Sequence, residues 1–368
     1  MHNLAAGILI YRLTGSELLL GVLAMMQFLP TLVLAPLSGR VADRHDRRRI
    51  VVVTGLFSAA VAGALAALAW ADLAPVPVVL GLSLALGVSQ AFTIPASAAL
   101  LSELVDAADL SSAVALNSMT FNLARSFGPM LAAVVIGTLG VPAAFAINAG
   151  AYLAFALAVA SIATVARAAA AEGVSIRLRD TVALVRREPR LWSSLVVVMV
   201  VGFAADPINT LAPAFAVAFG RADTDAGFVV GAFGAGAVLA AITLTGRLGI
   251  SSRSLGAALA GLGAGIVVFS ITPSFGPALV VLGVAGFCYL SSNAAATTRL
   301  QLGVEEAHRG RIMALWSVAF LGMRPAASLL DGGIASVAGV RAAGVTLALP
   351  AVAVGLALVF GRRPARRP

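Results

Sequence analysis

Gly39-Arg40-Val41-Ala42-Asp43-Arg44-His45-Asp46-Arg47-Arg48-Arg49 is the stretch whose reading decides the fold. Most of these eleven residues carry formal charge in a chain where only 11% of residues do, and apolar segments flank them over 17–38 and 50–71. A charge knot between two such segments has to sit in water at a membrane face, because ions are costly in hydrocarbon.

Hydrophobic residues make up 60% of the 368 and the mean hydropathy is +1.00. A soluble domain is roughly 45–50% apolar. The chain therefore reads as an all-α polytopic membrane protein whose partner is the lipid bilayer. Backbone groups in hydrocarbon must be paired within the element, which calls for helices of about 20 residues, and the apolar runs are too long for barrel strands of about 10. The one cysteine, Cys288, excludes a disulfide framework and a cysteine metal cluster. Of the three histidines (His2, His45, His308), two lie in charged loops, so no metal or other cofactor is expected.

Apolar runs between charged or Pro/Gly breaks place eleven full spans near 18–38, 50–70, 77–100, 112–137, 142–165, 191–213, 226–246, 254–272, 276–298, 311–336 and 341–361. Residues 1–11 are apolar but reach only about 16 Å as helix, roughly half a bilayer. They read as the second half of a first helix whose start is absent; a signal peptide would need a basic start and a small-residue cleavage site. The 25 basic residues are all arginine. Twenty fall in alternate loops and the tail, and only Arg12, Arg221 and Arg341 lie on the other side. By the positive-inside rule the arginine-rich side faces the cytoplasm of a bacterial inner membrane. The net charge of +9 is then topology, and nucleic-acid binding is not expected.

An internal repeat appears at an offset of 199: Ala115-Leu116, Ser118, Phe121, Arg125 and Leu131 fall on Ala314-Leu315, Ser317, Phe320, Arg324 and Leu330. At 207, Leu37-Ser38-Gly39-Arg40 falls on Leu244-Thr245-Gly246-Arg247. The expected organisation is an N-terminal transmembrane half (1–165), a cytoplasmic linker (166–190), a C-terminal half (191–361) and a basic tail (362–368), six helices plus six once the first is completed.

Gly39, Asp43-Arg44 and Arg47-Arg48, at these spacings, closely resemble the loop between the second and third helices of major facilitator superfamily transporters. The resemblance covers essentially the whole chain and implies two parallel halves with a substrate site at midplane and alternating access by rocking. It also implies that Gly39 permits close approach, that Asp43 latches the cytoplasmic side to helix 11, and that Arg44, Arg47 and Arg48 hold the loop in the headgroup zone. A plain topogenic basic loop is the simpler alternative. Asp46 stands where the family usually has Gly, and the second-half copy, 246–253, has lost the acid.

Span 112–137, helix 5 of the completed half, carries Asn117, Ser118, Asn122, Arg125 and Pro129, the last four on one helix face. An intramembrane arginine must face protein or water, so this face lines a cavity or a polar cluster. Ala124, Gly128 and Ala132 form a small-residue stripe, matched by Gly227, Gly231 and Ala235 in span 226–246. Gly128-Pro129 resembles the helix-5 signature of superfamily exporters, in the branch of enterobactin-type siderophore exporters and drug-efflux proteins, although Ala132 and Ala133 replace its later glycines.

Arg324, the repeat mate of Arg125, Asp331 two turns later, and Asp206-Pro207 complete the intramembrane charges. Asp206 or Asp331 is the candidate carrier of a coupling proton, with Arg125 and Arg324 tuning it or binding anionic groups; an Arg-Asp pair that only pins helices is the alternative. Gln90, Thr93, Tyr289 and Asn293 are further cavity candidates, or helix-packing hydrogen bonds.

The reading is a monomeric, non-enzymatic exporter of a small amphipathic molecule, a drug-like compound or siderophore, driven by the proton gradient. An importer or uniporter of a polar metabolite and a degenerate, non-transporting relative are its rivals. Paired catalytic groups for a membrane enzyme are not present in the sequence.

Overall fold

The computed structural model describes residues 1–106, 109–162, 182–183, 185–186, 188–244, 251–304 and 306–360, and these are helical with no strand. The helices are α1 (His2–Thr14), α2 (Glu17–Val33), α3 (Ala35–Arg44), α4 (Arg47–Trp70), α5 (Val76–Leu104) and α6 (Leu110–Ser161). They continue as α7 (Pro189–Thr210), α8 (Ala212–Ala218), α9 (Ala226–Leu244), α10 (Ser252–Ile271), α11 (Phe275–Leu302), α12 (Glu306–Leu321), α13 (Arg324–Ala338) and α14 (Val340–Phe360). By length and apolar composition, eight stretches among the described residues can cross a membrane, or nine if α2 and α3 form one span. The eleven expected spans include two inside α6 and one divided between α12 and α13.

Glycine and proline set the departures from straight helices. The chain bends by 53° between α2 and α3, where Pro36, in the first turn of α3, has no N–H to give to the preceding turn. Beyond the bend the chain stays helical to Arg44, so Gly39 and Asp43 lie in a helix and not in the loop that the sequence suggests. Asp46 has an ordinary extended backbone (φ −60°, ψ 113°) and caps α4 by accepting the Arg49 N–H at 3.1 Å. Asp therefore serves here as an N-cap, without a left-handed turn. Gly140 breaks α6 with φ 86° and ψ 170°, a region open to glycine and strained for other residues. Asp206-Pro207 lies within the continuous α7; the break comes at Leu211, just before the Pro213 that opens α8. Pro325 likewise opens α13 after a break at Gly322-Met323.

Packing follows the small residues. A Cβ on Gly265 of α10 would lie 2.8 Å from Ala285 Cβ of α11, and one on Gly256 2.6 Å from the Gly355 carbonyl of α14. Only glycine lets these backbones meet so closely. Phe145, Phe215 and Phe269 are fully buried, while Val337, Ile242, Val280 and Phe360 are 90%, 73%, 72% and 78% exposed. An exterior of such side chains suits lipid and not water.

At the face opposite the arginine-rich loops, Arg341 opens α14 and donates to the carbonyls of Ser270 (3.0 Å), Thr272 (2.8 Å) and Ala218 (3.5 Å). Its guanidinium also lies over the Phe219 ring at 4.8 Å. One cation thus answers carbonyls at the ends of α8 and α10. Arg341→Ala is expected to cost roughly 1.5–3 kcal/mol, the scale of hydrogen bonds from a charged donor. Thermal unfolding in detergent checks this, with Arg341→Lys recovering only part because it lacks the planar fork.

Candidate functional site

Uncharged polar side chains in an apolar helix, and the few charged ones, gather where the α1–α6 and α7–α14 parts of the chain meet. They line a cavity of about 360 Å³, within the range of small-molecule sites. Gln27 and Phe28 come from α2; Gly128, Pro129, Asn148 and Tyr152 from α6; Asp206, Asn209 and Thr210 from α7; Tyr289 from α11; Phe320 from α12; and Arg324 from α13.

Asp206 and Arg324 pair their charges in this wall, and His2 of α1 also lines it with both ring nitrogens buried and unpartnered. Asp206 is 1% exposed; its Oδ1 accepts Arg324 Nε–H at 3.2 Å and its Oδ2 accepts the Thr210 hydroxyl at 3.0 Å. Thr210 stands one turn after Asp206, so α7 itself supplies the second donor. Arg324 has a further partner across the cavity, lying 4.0 Å from the centroid of the Phe28 ring, within cation–π range. Asp331 is fully buried and lies within interaction range of Asp206, Arg324 and the Gly332 amide, yet it does not line the cavity and has no side-chain hydrogen-bond donor of its own.

The remaining sequence candidates divide. Gln90 donates to the Tyr152 hydroxyl at 3.3 Å and, with Thr93, Ser97 and Asn117, lines a second cavity of about 380 Å³ among α4, α5 and α6. Asn293 lines neither cavity, and its Oδ1 is buried without a partner. The side chains of Ser118, Asn122 and Arg125 lie outside the described residues, although their backbone belongs to α6. Gly128-Pro129 and Gly227 meet at one crossing of α6 and α9: a Cβ on Gly227 would lie 2.9 Å from the Pro129 carbonyl, and one on Gly231 2.9 Å from Met130 Sδ. Gly128 itself has nothing within 4 Å of a built Cβ, so the close approach is made on the α9 side.

At the arginine-rich face, α3 packs on α5, with Ala42 buried among Val51, Ala96, Leu100 and Val159. Asp43 and Arg44 are exposed at its end, and a Cβ on Gly39 would meet open space. Arg47 pairs with Glu103 at 2.6 Å, and Arg48 donates to the carbonyls of Val159 (3.2 Å) and Ala160. These two arginines bind the ends of α5 and α6.

Sequence reasoning missed Gln27, Asn148, Asn209 and Thr210 as cavity residues. A lone amide in an apolar span was the available signal for the first two, and the four-residue spacing from Asp206 for the last. It also missed the pair on the opposite face, where Arg12 grips Asp223 through Nε (2.5 Å) and Nη2 (2.8 Å) and ties α1 to the turn before α9. Loop charges distant in sequence give no such signal.

A family model described as transmembrane secretion effector matches residues 1–366. Among relatives, the uncharacterized MFS-type transporter YfiS of Bacillus subtilis is 28% identical over 289 residues, covering 75% of this chain and 65% of that protein. The multidrug efflux pump Tap of Mycolicibacterium fortuitum is 25% identical over 364 residues, 96% of this chain and 89% of Tap. The staphyloferrin A transporter of Staphylococcus aureus is 29% identical over 134 residues, 36% of this chain and 34% of that protein. The match thus spans just under two thirds of the length of YfiS and about a third of the staphyloferrin A transporter.

Among solved structures, a bacterial homologue of the human lysosomal transporter Spinster, in an inward-facing and occupied conformation, superposes with a TM-score of 0.73 at 15% identity. The alignment covers 98% of this chain and 93% of that one. The nucleoside transporter NupG gives 0.69 at 12% identity over 98% of both chains. These likenesses show the fold. With a family model matched over nearly the whole chain and a helical membrane fold shared with solved transporters, the protein is a member of the transmembrane secretion effector family of the major facilitator superfamily.

Proposed function

We propose that this transporter exports a small amphipathic molecule, a drug-like compound or a siderophore, by alternating access and in exchange for protons. The observation that carries the reading is a cavity between the two parts of the chain whose wall contains a buried acid, Asp206, balanced by Arg324. A buried carboxylate held by one cation can take a proton, release its partner and so couple protonation to the contacts that hold the halves together. Asp206 is the coupling acid in this scheme and Arg324 its counter-charge. Phe28, Phe320, Tyr152 and Tyr289 offer aromatic surface to the apolar part of a substrate, and Gln27, Asn148 and Asn209 offer hydrogen bonds to its polar part. The likeness to the multidrug efflux pump Tap and to the staphyloferrin A transporter supports the substrate class.

In this scheme the halves are 1–165 and 191–361, and the arginine-rich face is cytoplasmic. The opposite, outer face is drawn together by Arg12 and Asp223, by α6 on α9, and by α2 on α13. The molecule is then inward-facing, and Asp43 serves in this scheme as the latch of the cytoplasmic ends. Ser118, Asn122 and Arg125 of helix 5 are carried into this scheme as substrate or coupling candidates from the sequence pattern, and Asn117 belongs to the second cavity. The second reading, import or uniport of a polar metabolite, draws on the three cavity amides.

Two experiments test the proposal. Cells expressing the chain should accumulate less ethidium, macrolide or catecholate siderophore than controls for at least one probe. A protonophore, Asp206→Asn and Asp43→Asn should each abolish that difference; greater accumulation would favour import, and a difference insensitive to the protonophore would remove proton coupling. For orientation, in a Cys288→Ser background a membrane-impermeant maleimide should label Ala222→Cys in intact cells and Ser175→Cys only after lysis. The reverse pattern would invert the topology.

A further inference from the structure

Charge is balanced at the cavity wall by Arg324 and Asp206, and Asp331, buried behind that wall, upsets the balance if it is ionised. Arg324 supplies one positive charge, and Asp206 and Asp331 supply two carboxyl groups in the same buried cluster. Asp206 has its donors, from Arg324 and Thr210. Asp331 has no side-chain donor of its own, and only the Gly332 amide comes within reach of it. The helices packed against α13 bring little else: α2 carries Glu17 in its first turn as its one ionisable side chain, and α7 carries Asp206 and, at its far end, Arg190. α14 carries Arg341, which is engaged with the carbonyls of Ala218, Ser270 and Thr272. An ionised Asp331 would leave a net negative charge in the membrane interior, whereas one proton makes the three groups neutral together.

Access to the two acids also differs. Asp206 borders the cavity. Asp331 lies on the α13 segment pressed against α2, where a Cβ on Gly332 would sit 2.8 Å from the Glu17 carbonyl and one on Gly21 3.2 Å from Gly332 Cα. Asp331 therefore lies behind the glycine seam and away from the cavity.

We infer that Asp206 and Asp331 are two stations of one proton relay, with the proton resident on Asp331 in the conformation seen here and Asp331 loaded when the α2–α13 seam opens. In the transfer step the Asp331 O–H bond breaks and an O–H bond forms on Asp206. Arg324 then exchanges the Asp206 carboxylate for that of Asp331, so no net charge appears. Asp206 passes the proton to water in the cavity and regains Arg324, while Asp331 is reprotonated through the opened seam. The assignment of the proton stands on charge and geometry; the direction of the relay rests on the proton-coupled reading above.

Infrared spectroscopy of the full chain in lipid tests it without a substrate. Near neutral pH the wild type should show the carbonyl band of a protonated carboxylic acid, and Asp331→Asn should remove it. Thr210→Val, which deletes a donor to Asp206 alone, should leave its position unmoved and answers for any misfolding of Asp331→Asn. A band that shifts with Thr210→Val would put the proton on Asp206, and a band kept in Asp331→Asn, or absent from the wild type, would also overturn the assignment. Protonophore-insensitive transport by the wild type would strike the coupling reading and leave the band assignment intact.

Discussion

A guanidinium and a carboxylate held 3.2 Å apart inside a membrane protein form the interaction on which this structure turns. Burying either charge alone is prohibitive, so α7 and α13 must stay in register for both. Phe28 extends the contact to α2, so the same cation touches helices from both parts of the chain. A cavity wall whose charge is internally paired can present aromatic and amide groups to a ligand at little electrostatic cost. Any change in the protonation of that wall is felt by the packing around it.

Helix contacts supply the frame. Glycines at Gly21, Gly332, Gly227 and Gly231 bring α2 to α13 and α6 to α9, and both crossings join early helices to late ones. Without a hydrophobic drive between helices in lipid, such close backbone approach is a principal source of cohesion. Arg12 and Asp223 add a forked ion pair on the same face. At the arginine-rich face Arg47 and Arg48 bind α5 and α6. The ties across the cavity and the ties within the first part of the chain thus lie at opposite ends of the helices.

Much of this was legible in the sequence, for reasons that can be named. Apolar runs gave the helices because a bilayer allows few alternatives, and the charge knot at 39–49 gave the family because its spacing is unusual. Asp206, Arg324 and Asp331 stood out as charges inside spans, and the structure brings all three into one cluster. Their pairing was not legible, since it depends on how helices more than 100 residues apart are rotated. Helix breaks were misread by a few residues, because Pro36, Pro213 and Pro325 begin new helices where an apolar run continues unbroken. Asp46 stands where the family usually has Gly, and its side chain is used as a cap.

Whether the two ends of the molecule open and close in opposition is the central question, and distances between spin labels answer it most directly. In a Cys288→Ser background, one labelled pair at Thr14 and Ala222 reports the face of the Arg12–Asp223 contact, and another at His45 and Leu302 reports the arginine-rich face. Two distance populations on each face, shifting in opposite senses with pH and collapsing to one in Asp206→Asn, are the predicted result. A single, pH-independent population on both faces would contradict alternating access governed by this ion pair.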